Sequence, residues 1–147
     1  MPFLILLSLC LGAAMCLQST VNGQLYLRLG LPLTLVINSG LVFAGSSLWF
    51  FVDRTTGQLP ARAPAPWYLF TGGLFGLVII SCAAMAYPRL GAGVTTALAV
   101  AAQVLVALLL DWVGATGARL PLTTERVVGL ALVALGVWLV VAPSRQR

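Results

Sequence analysis

The feature that most constrains this chain is a series of apolar stretches, each long enough to cross a membrane as a helix. The hydrocarbon core of a bilayer is about 30 Å thick, and about 20 helical residues span it. Of the 147 residues, 61% are hydrophobic and only 7% are charged, whereas soluble domains carry about 25% charged residues. We therefore expect an all-α integral membrane protein, because helices satisfy their own backbone hydrogen bonds in lipid. A single transmembrane domain is predicted over residues 1–147, with five spans at about 2–26, 32–52, 67–87, 91–112 and 124–142.

Prolines and glycines mark the predicted breaks between the spans. The segment DRTTGQLPARAPAP (residues 53–66) contains three prolines and a glycine, which exclude a regular helix. Pro88 is expected to end the third span and Pro143 to close the fifth. The first span lacks the basic start and the small-residue cleavage site of a secretory signal, so we interpret it as a helix of the mature protein.

The arginines predict how the chain is oriented. Orientation usually follows an excess of Lys and Arg in the cytoplasmic loops, but alternating spans leave four arginines on each side here. One side carries Arg54, Arg62, Arg119 and Arg126, and the other carries Arg28, Arg89, Arg145 and Arg147. The balance favours dual orientation and an antiparallel pair of chains, although one or two dominant arginines would fix a single orientation. The arginines are scattered singly, so no surface for nucleic acid is predicted.

Four side-chain amides within the apolar spans form the candidate substrate-binding site. Gln18 and Asn22 lie one helical turn apart and face the same neighbour. A buried amide needs a partner, so hydrogen bonds between helices are a purely structural alternative for each residue. As a set spread over three helices, the amides favour a polar cavity that binds a small-molecule substrate. The candidate residues are Gln18, Asn22, Asn38 and Gln103.

Asp111, at the end of the fourth span, is a candidate for coupling or gating. Acidic residues within membrane spans are functional candidates by default. Trp112 follows it as an interfacial anchor, so the carboxylate is expected near the headgroups. There it has three potential partners: Arg119, Arg126, or Arg89 of an inverted copy. Electrostatics at a helix end are the structural alternative.

The chain carries no visible catalytic constellation. It contains no His and no Lys, and its three cysteines (Cys10, Cys16 and Cys82) all lie in apolar stretches. These cysteines are interpreted as small packing residues. We therefore expect no enzymatic activity, no metal site and no cofactor.

Several segments resemble a known transporter group. GARLPLTTERVVGLALVALGVWLVV (residues 117–141) is similar to the final helix and its approach in the drug/metabolite transporter superfamily. LQSTVNGQL in the first span and YPRLGAGVTTALAVAAQVLVALLLDWVG (residues 87–114) resemble the five-helix YdcZ-type family more specifically. The resemblance covers essentially the whole chain. It implies a small inner-membrane transporter or exporter that works as an antiparallel dimer of ten helices.

The chain departs from related patterns at three positions. Small multidrug resistance proteins of the same superfamily place a glutamate in their first helix, and its position falls on Gln18 if the glycine that ends that helix is matched to Gly30. An amide does not titrate in the accessible pH range, so proton coupling through this residue is excluded. Ala102 and Trp112 stand where the family often has Gly and His, which puts an exact transfer of roles in doubt.

Taken together, the sequence predicts a transporter that works by alternating access around a polar site at the membrane midplane. Its expected partners are the lipid bilayer, a second copy or a related chain in inverted orientation, and a small-molecule substrate. Two alternatives remain: a membrane subunit that scaffolds a larger complex, and a subunit of a flippase for lipid-linked substrates. A scaffold would keep one orientation and copurify with its complex, whereas a flippase needs a lateral opening and a long apolar groove.

Overall fold

The computed structural model describes residues 2–57, 66–115 and 119–142. Within these ranges the chain is all-α and contains no strand. Its helices are α1 (Pro2–Thr56), a short 3-10 helix (Trp67–Thr71), α2 (Gly72–Leu90), α3 (Ala92–Val113) and α4 (Thr124–Val141). Four helical segments in this part of the chain are long and apolar enough to cross a membrane: Pro2–Thr56, Trp67–Leu90, Ala92–Val113 and Thr124–Val141.

Helix α1 is broken at Gly30. Its 55 residues would extend for about 80 Å as one straight helix, far more than a bilayer is thick. Gly30 has φ 76° and ψ 168°, a conformation that is essentially restricted to glycine. Pro32 follows within the same turn and has no backbone N–H to donate. We call residues 2–29 the first arm and residues 31–56 the second arm.

The two arms fold back on each other as a helical hairpin. Asn38 of the second arm donates a hydrogen bond to Asn22 of the first arm at 3.2 Å. The two residues are sixteen positions apart, and a straight helix would hold them about 24 Å apart. The contact therefore requires the chain to reverse direction at Gly30.

Helix α2 packs beside the first arm and runs parallel to it. A Cβ added at Gly23 would lie 3.1 Å from Cγ of Pro88 and 3.4 Å from Cβ of Tyr87. One turn further on, Nη2 of Arg89 approaches the Tyr26 hydroxyl within 3.5 Å. These contacts place the C-terminal ends of the first arm and of α2 side by side.

The chain forms two compact units, Met1–Arg89 and Leu90–Arg147, and the second contains a further hairpin. There α3 packs against α4. Gly114 caps α3 in a left-handed conformation, and its N–H donates to the carbonyls of Asp111 and Leu110. The N–H of Leu120 donates to the Asp111 carbonyl at 3.0 Å, so Leu120 lies against the end of α3.

Several helix ends differ from the expected ones. Pro88 does not end its helix, because α2 continues to Leu90 and Gly91 follows with φ 83°. The second arm extends to Thr56, into the segment that was expected to be irregular, since the first of its prolines comes only at position 60. Arg62, Pro143, Arg145 and Arg147 lie outside the described residues.

Burial in the described residues is the reverse of that in a soluble protein. The buried residues are Asn22, Gly23, Thr34 and Ala84, all in the first unit. Large apolar side chains point outwards, and Phe43 for example is 75% exposed. Small and polar residues therefore form the contacts between helices, as is typical where lipid supplies the apolar surroundings.

Candidate functional site

The centre of the candidate site is the amide pair, Asn22 and Asn38. Asn22 is only 5% exposed and Asn38 is half-buried. Each lies eight residues from Gly30, one before it and one after it. Because both arms rise by the same amount per residue, equal spacing from the reversal brings the two side chains to the same level.

The amide pair leaves one acceptor unused. Oδ1 of Asn38 is buried without a hydrogen-bond partner among the described residues. Thr95 Oγ1 and Arg126 Nη1 are also buried without a hydrogen-bond partner among the described residues. A buried acceptor without a partner costs about 1–3 kcal/mol. A hydrogen-bond donor placed beside Asn38 would therefore stabilise this conformation.

Thr34 supports the hairpin from inside. It is fully buried, and its hydroxyl donates to the Gly30 carbonyl at 2.9 Å. Thr34 lies one turn before Asn38 on the same face of the second arm. Its hydrogen bond satisfies a carbonyl at the break and thereby holds the start of the second arm in place.

Gly23 brings α2 next to the amide pair. It is adjacent to Asn22 and is buried against Pro88 and Tyr87. A larger side chain at this position would push α2 away from the first arm. The small residue at position 23 lets α2 approach the first arm beside Asn22. Small residues commonly allow such close approach between membrane helices.

Two hydroxyl side chains close to the candidate site in sequence or in the same unit, those of Thr20 and Ser81, bond to their own helices. Thr20 donates to the Cys16 carbonyl at 2.9 Å, and Ser81 donates to the Leu77 carbonyl at 2.7 Å. An asparagine side chain has more donors and acceptors than one such bond can satisfy. The amides are therefore the polar groups that have to find partners beyond their own helix.

The predicted site residues occupy different surroundings. The structure joins Asn22 to Asn38, whereas Gln18 is exposed one turn before Asn22. Gln103 is exposed on α3, which belongs to the second unit. A binding role for these four residues stays a prediction.

Asp111 forms an ion pair in the second unit. Its Oδ2 lies 3.8 Å from Nη1 of Arg126, and the two side chains are 28% and 34% exposed, respectively. Of the potential partners considered for this carboxylate, the structure pairs it with Arg126. The bond joins the end of α3 to the first turn of α4 and so ties the two helices together at the connection.

A repeated motif escaped the sequence analysis. The pattern Tyr-x-Arg-Leu-Gly-x-x-x-Thr occurs at residues 26–34 and again at 87–95. Both glycines interrupt a helix with nearly the same backbone, φ 76° and ψ 168° at Gly30 and φ 83° and ψ 156° at Gly91. Comparison of the sequence with itself would have found both helix breaks.

The threonine of each copy bonds to the carbonyl of its glycine. In the first copy the Thr34 hydroxyl is the donor. In the second copy the backbone N–H of Thr95 donates to the Gly91 carbonyl at 3.2 Å. The repeat therefore marks the break in both copies, and in the first copy the threonine side chain also bonds to the carbonyl at the break.

Residues suited to a metal do not cluster in the described ranges, where no group of three or more His, Cys, Asp or Glu side chains is found. The candidate site is built from neutral amides, hydroxyls and small residues. Such groups bind by hydrogen bonding and shape.

Comparison with known proteins identifies a family. A family model described as "Putative inner membrane exporter, YdcZ" matches residues 3–139. Neither the curated proteins nor the solved structures contain a significant match. The family match confirms the resemblance noted from the sequence.

Proposed function

The chain belongs to the YdcZ-type family of the drug/metabolite transporter superfamily, and from that premise we propose that it exports a small polar molecule by alternating access. It is a protein of the inner membrane. The family is one of exporters and not of enzymes. The observation that carries the proposal is the amide pair inside the first helical hairpin.

We take the chain to cross the membrane five times. The break at Gly30 divides α1 into two arms, and each arm is longer than the approximately 20 residues that a crossing needs. Helices α2, α3 and α4 supply the other three crossings. The contact between Asn22 and Asn38 supports this topology, because it requires the arms to run in opposite directions.

The proposed substrate site lies near the midplane. Eight helical residues from Gly30 correspond to about 12 Å, and half the hydrocarbon thickness is about 15 Å. Asn22 and Asn38 therefore suit a depth close to the membrane centre. Gln18 lies twelve residues before Gly30, and Gln103 lies twelve residues after Gly91, so each is about 18 Å along its own helix from a break.

We propose that two chains work as an antiparallel dimer. Gln18 and Gln103 are exposed on apolar helices, and an amide that faces lipid is costly. A second copy in inverted orientation would cover such surfaces and complete a cavity. The balance of four arginines against four supports insertion in both orientations. Two inverted copies form the repeat that supports alternating access in many transporters.

Asp111 is proposed as a gating residue. The side chains of its ion pair with Arg126 are about one third exposed, and such pairs are weak enough to break and re-form during a conformational cycle. The pair lies where α3 ends and α4 begins, so its opening would loosen that hairpin.

Export of metabolites from proteoliposomes tests the proposal. The purified protein is reconstituted into vesicles loaded with a polar metabolite extract, and released compounds are identified by mass spectrometry. We expect at least one compound to be released only when the protein is present. Gln18→Ala and Gln103→Ala should abolish that release at equal reconstitution and dimer content, whereas Gln24→Ala, a change of an exposed amide on the same arm as Gln18, should not.

Two outcomes would count against the proposal. If the wild-type protein releases no compound from the extract, the exporter function is wrong. If release persists unchanged in Gln18→Ala and Gln103→Ala, these residues lie outside the site.

A further inference from the structure

The unused acceptor of the amide pair indicates the chemistry of the substrate. Nδ2 of Asn38 donates to Oδ1 of Asn22 at 3.2 Å, while Oδ1 of Asn38 is buried without a partner among the described residues. From this arrangement we infer that the site selects uncharged solutes with neighbouring hydroxyl groups. The inference rests on the proposed exporter function and adds the substrate class.

Within the first unit, ammonium ligands find no counter-charge beside the amide pair. The only acidic residue in 1–89 is Asp53, fifteen residues beyond Asn38 and about 22 Å away along the second arm. Its carboxylate already accepts a hydrogen bond from Nε1 of Trp49 at 2.8 Å. A cation that leaves water without an opposite charge is strongly disfavoured.

Carboxylate ligands face the same difficulty. The arginine nearest in sequence to Asn22 is Arg28, six residues further along the first arm and about 9 Å along its axis. Arg89 lies close to the Tyr26 hydroxyl, towards the end of the hairpin. Both guanidinium groups are exposed, so an anion would bind at that end and leave the amides unused.

A vicinal diol fits the groups that the amides present. A hydroxyl both donates and accepts a hydrogen bond, so one hydroxyl can accept from Nδ2 of Asn38 and donate to Oδ1 of Asn22. The neighbouring hydroxyl then donates to the unused Oδ1 of Asn38. The amide–amide bond is replaced, and the buried acceptor gains the donor that it lacks.

Access to these groups requires the arms to separate. Oδ1 of Asn38 is closed off in this conformation, and the arms meet at the break formed by Gly30. The substrate therefore competes with the amide–amide bond as the hairpin opens, which makes Asn22 and Asn38 determinants of specificity.

Three four-carbon probes of different charge test the inference: erythritol, 1,4-diaminobutane and succinate. Affinities are measured from the rise in unfolding temperature of the full-length protein in detergent as each probe is added. We expect erythritol to bind to the wild-type protein and to Gln24→Leu. It should bind about tenfold more weakly to Asn38→Leu, which loses one neutral hydrogen-bonding partner.

A second variant guards against a loss of folding in Asn38→Leu. Asn38→Asp keeps the shape and an acceptor but adds a negative charge. It is expected to bind 1,4-diaminobutane in preference to erythritol, because the carboxylate pairs with an ammonium group.

The outcomes separate this inference from the exporter proposal. No binding of erythritol by the wild-type protein, or equal binding by the wild type and both Asn38 variants, overturns the inference. Preference of the wild type for 1,4-diaminobutane or succinate also overturns it and leaves the exporter proposal intact. Asn38-dependent binding of erythritol without release of any compound in the vesicle assay would leave the substrate class standing and remove the exporter function.

Discussion

Asn38 donates a hydrogen bond of 3.2 Å to Asn22 across the first helical hairpin, and Gly30 lies midway between the two residues in the sequence. Two features of the surrounding backbone lie close to this bond. The reversal at Gly30 brings the arms together, and the small residue at position 23 lets α2 approach beside Asn22. Changes at either position are therefore expected to act on the amide pair.

Substitution of Gly30 by alanine should destabilise the hairpin by about 1–3 kcal/mol, because residues with a Cβ are strained in this conformation. Gly30 has φ 76° and ψ 168°. Thermal unfolding in detergent measures the effect. Gly45→Ala is the matched control, since Gly45 lies in the second arm with nothing within 4 Å of an added Cβ. An equal loss of stability in both variants would contradict a special role for Gly30.

Gly23→Leu is expected to destabilise the first unit by about 1–3 kcal/mol through overpacking. The added Cβ would lie 3.1 Å from Cγ of Pro88, and the rest of the leucine needs more space still. Gly12→Leu in the same arm provides the control, because nothing lies within 4 Å of its added Cβ. The unfolding temperature of Gly23→Leu should fall well below that of Gly12→Leu. Equal unfolding temperatures of the two variants would show that Gly23 does not contact α2.

A double-mutant cycle should detect the bond between the amides. Asn22→Ala, Asn38→Ala and the double variant are expected to give a coupling energy of about 0.6 kcal/mol, the typical value for hydrogen bonds between membrane helices. Unfolding free energies in detergent supply the measurement. The same cycle between Asn22→Ala and Gln24→Ala should give no coupling, because Gln24 is exposed. A cycle with no coupling between Asn22 and Asn38 argues against the hairpin geometry.

The ion pair between Asp111 and Arg126 is expected to matter more for export than for stability. Its N–O distance is 3.8 Å and both side chains are partly exposed, so the coupling energy should stay below about 1 kcal/mol. Arg126→Asp should reduce export, and exchange of the two charges in Asp111→Arg/Arg126→Asp should restore part of it. Arg119→Asp, at an exposed arginine of the preceding segment, should be much milder. Efflux from proteoliposomes decides between these outcomes, and a failure of the exchanged pair to recover would exclude gating by this pair.

The orientation of the chain can be measured directly. A single cysteine is placed after Arg147 in a protein without Cys10, Cys16 and Cys82, and cells are labelled with an impermeant thiol reagent. We expect about half of the protein to react before permeabilisation and all of it afterwards, because the proposed five crossings would leave four arginines on each side of the membrane. Complete labelling or no labelling of intact cells would point to one orientation, and then either to a related chain as the inverted partner or to a scaffold role.

Composition and apolar pattern were sufficient to predict the class of fold. A chain with 7% charged residues cannot form a soluble surface, and the all-α architecture follows from the need to satisfy the backbone in lipid. Helix ends were harder to predict. Helix α2 continues through Pro88 because a proline in the last turn removes only one hydrogen bond. The break comes at Gly91, which has a positive φ.

The amide pair illustrates where prediction from sequence stops. Spacing predicted that Gln18 and Asn22 share a helix face, and both Asn22 and Asn38 were named as candidates. That Asn38 meets Asn22 depends on where the chain reverses, which is decided by the backbone at Gly30 and not by the polarity of either residue. The Gln103 prediction depends on how separate helices assemble, and a single-chain pattern does not contain that information.

The hairpin has a consequence for how the protein enters the membrane during synthesis. The donor and the acceptor of the amide bond both lie within the first 56 residues, the extent of α1. A translating ribosome therefore delivers Asn22 and Asn38 to the insertion machinery together, before α2 has been made. These two amides can enter lipid already bonded to each other, so the nascent chain does not need its later helices, or a second copy, to supply their first hydrogen bond.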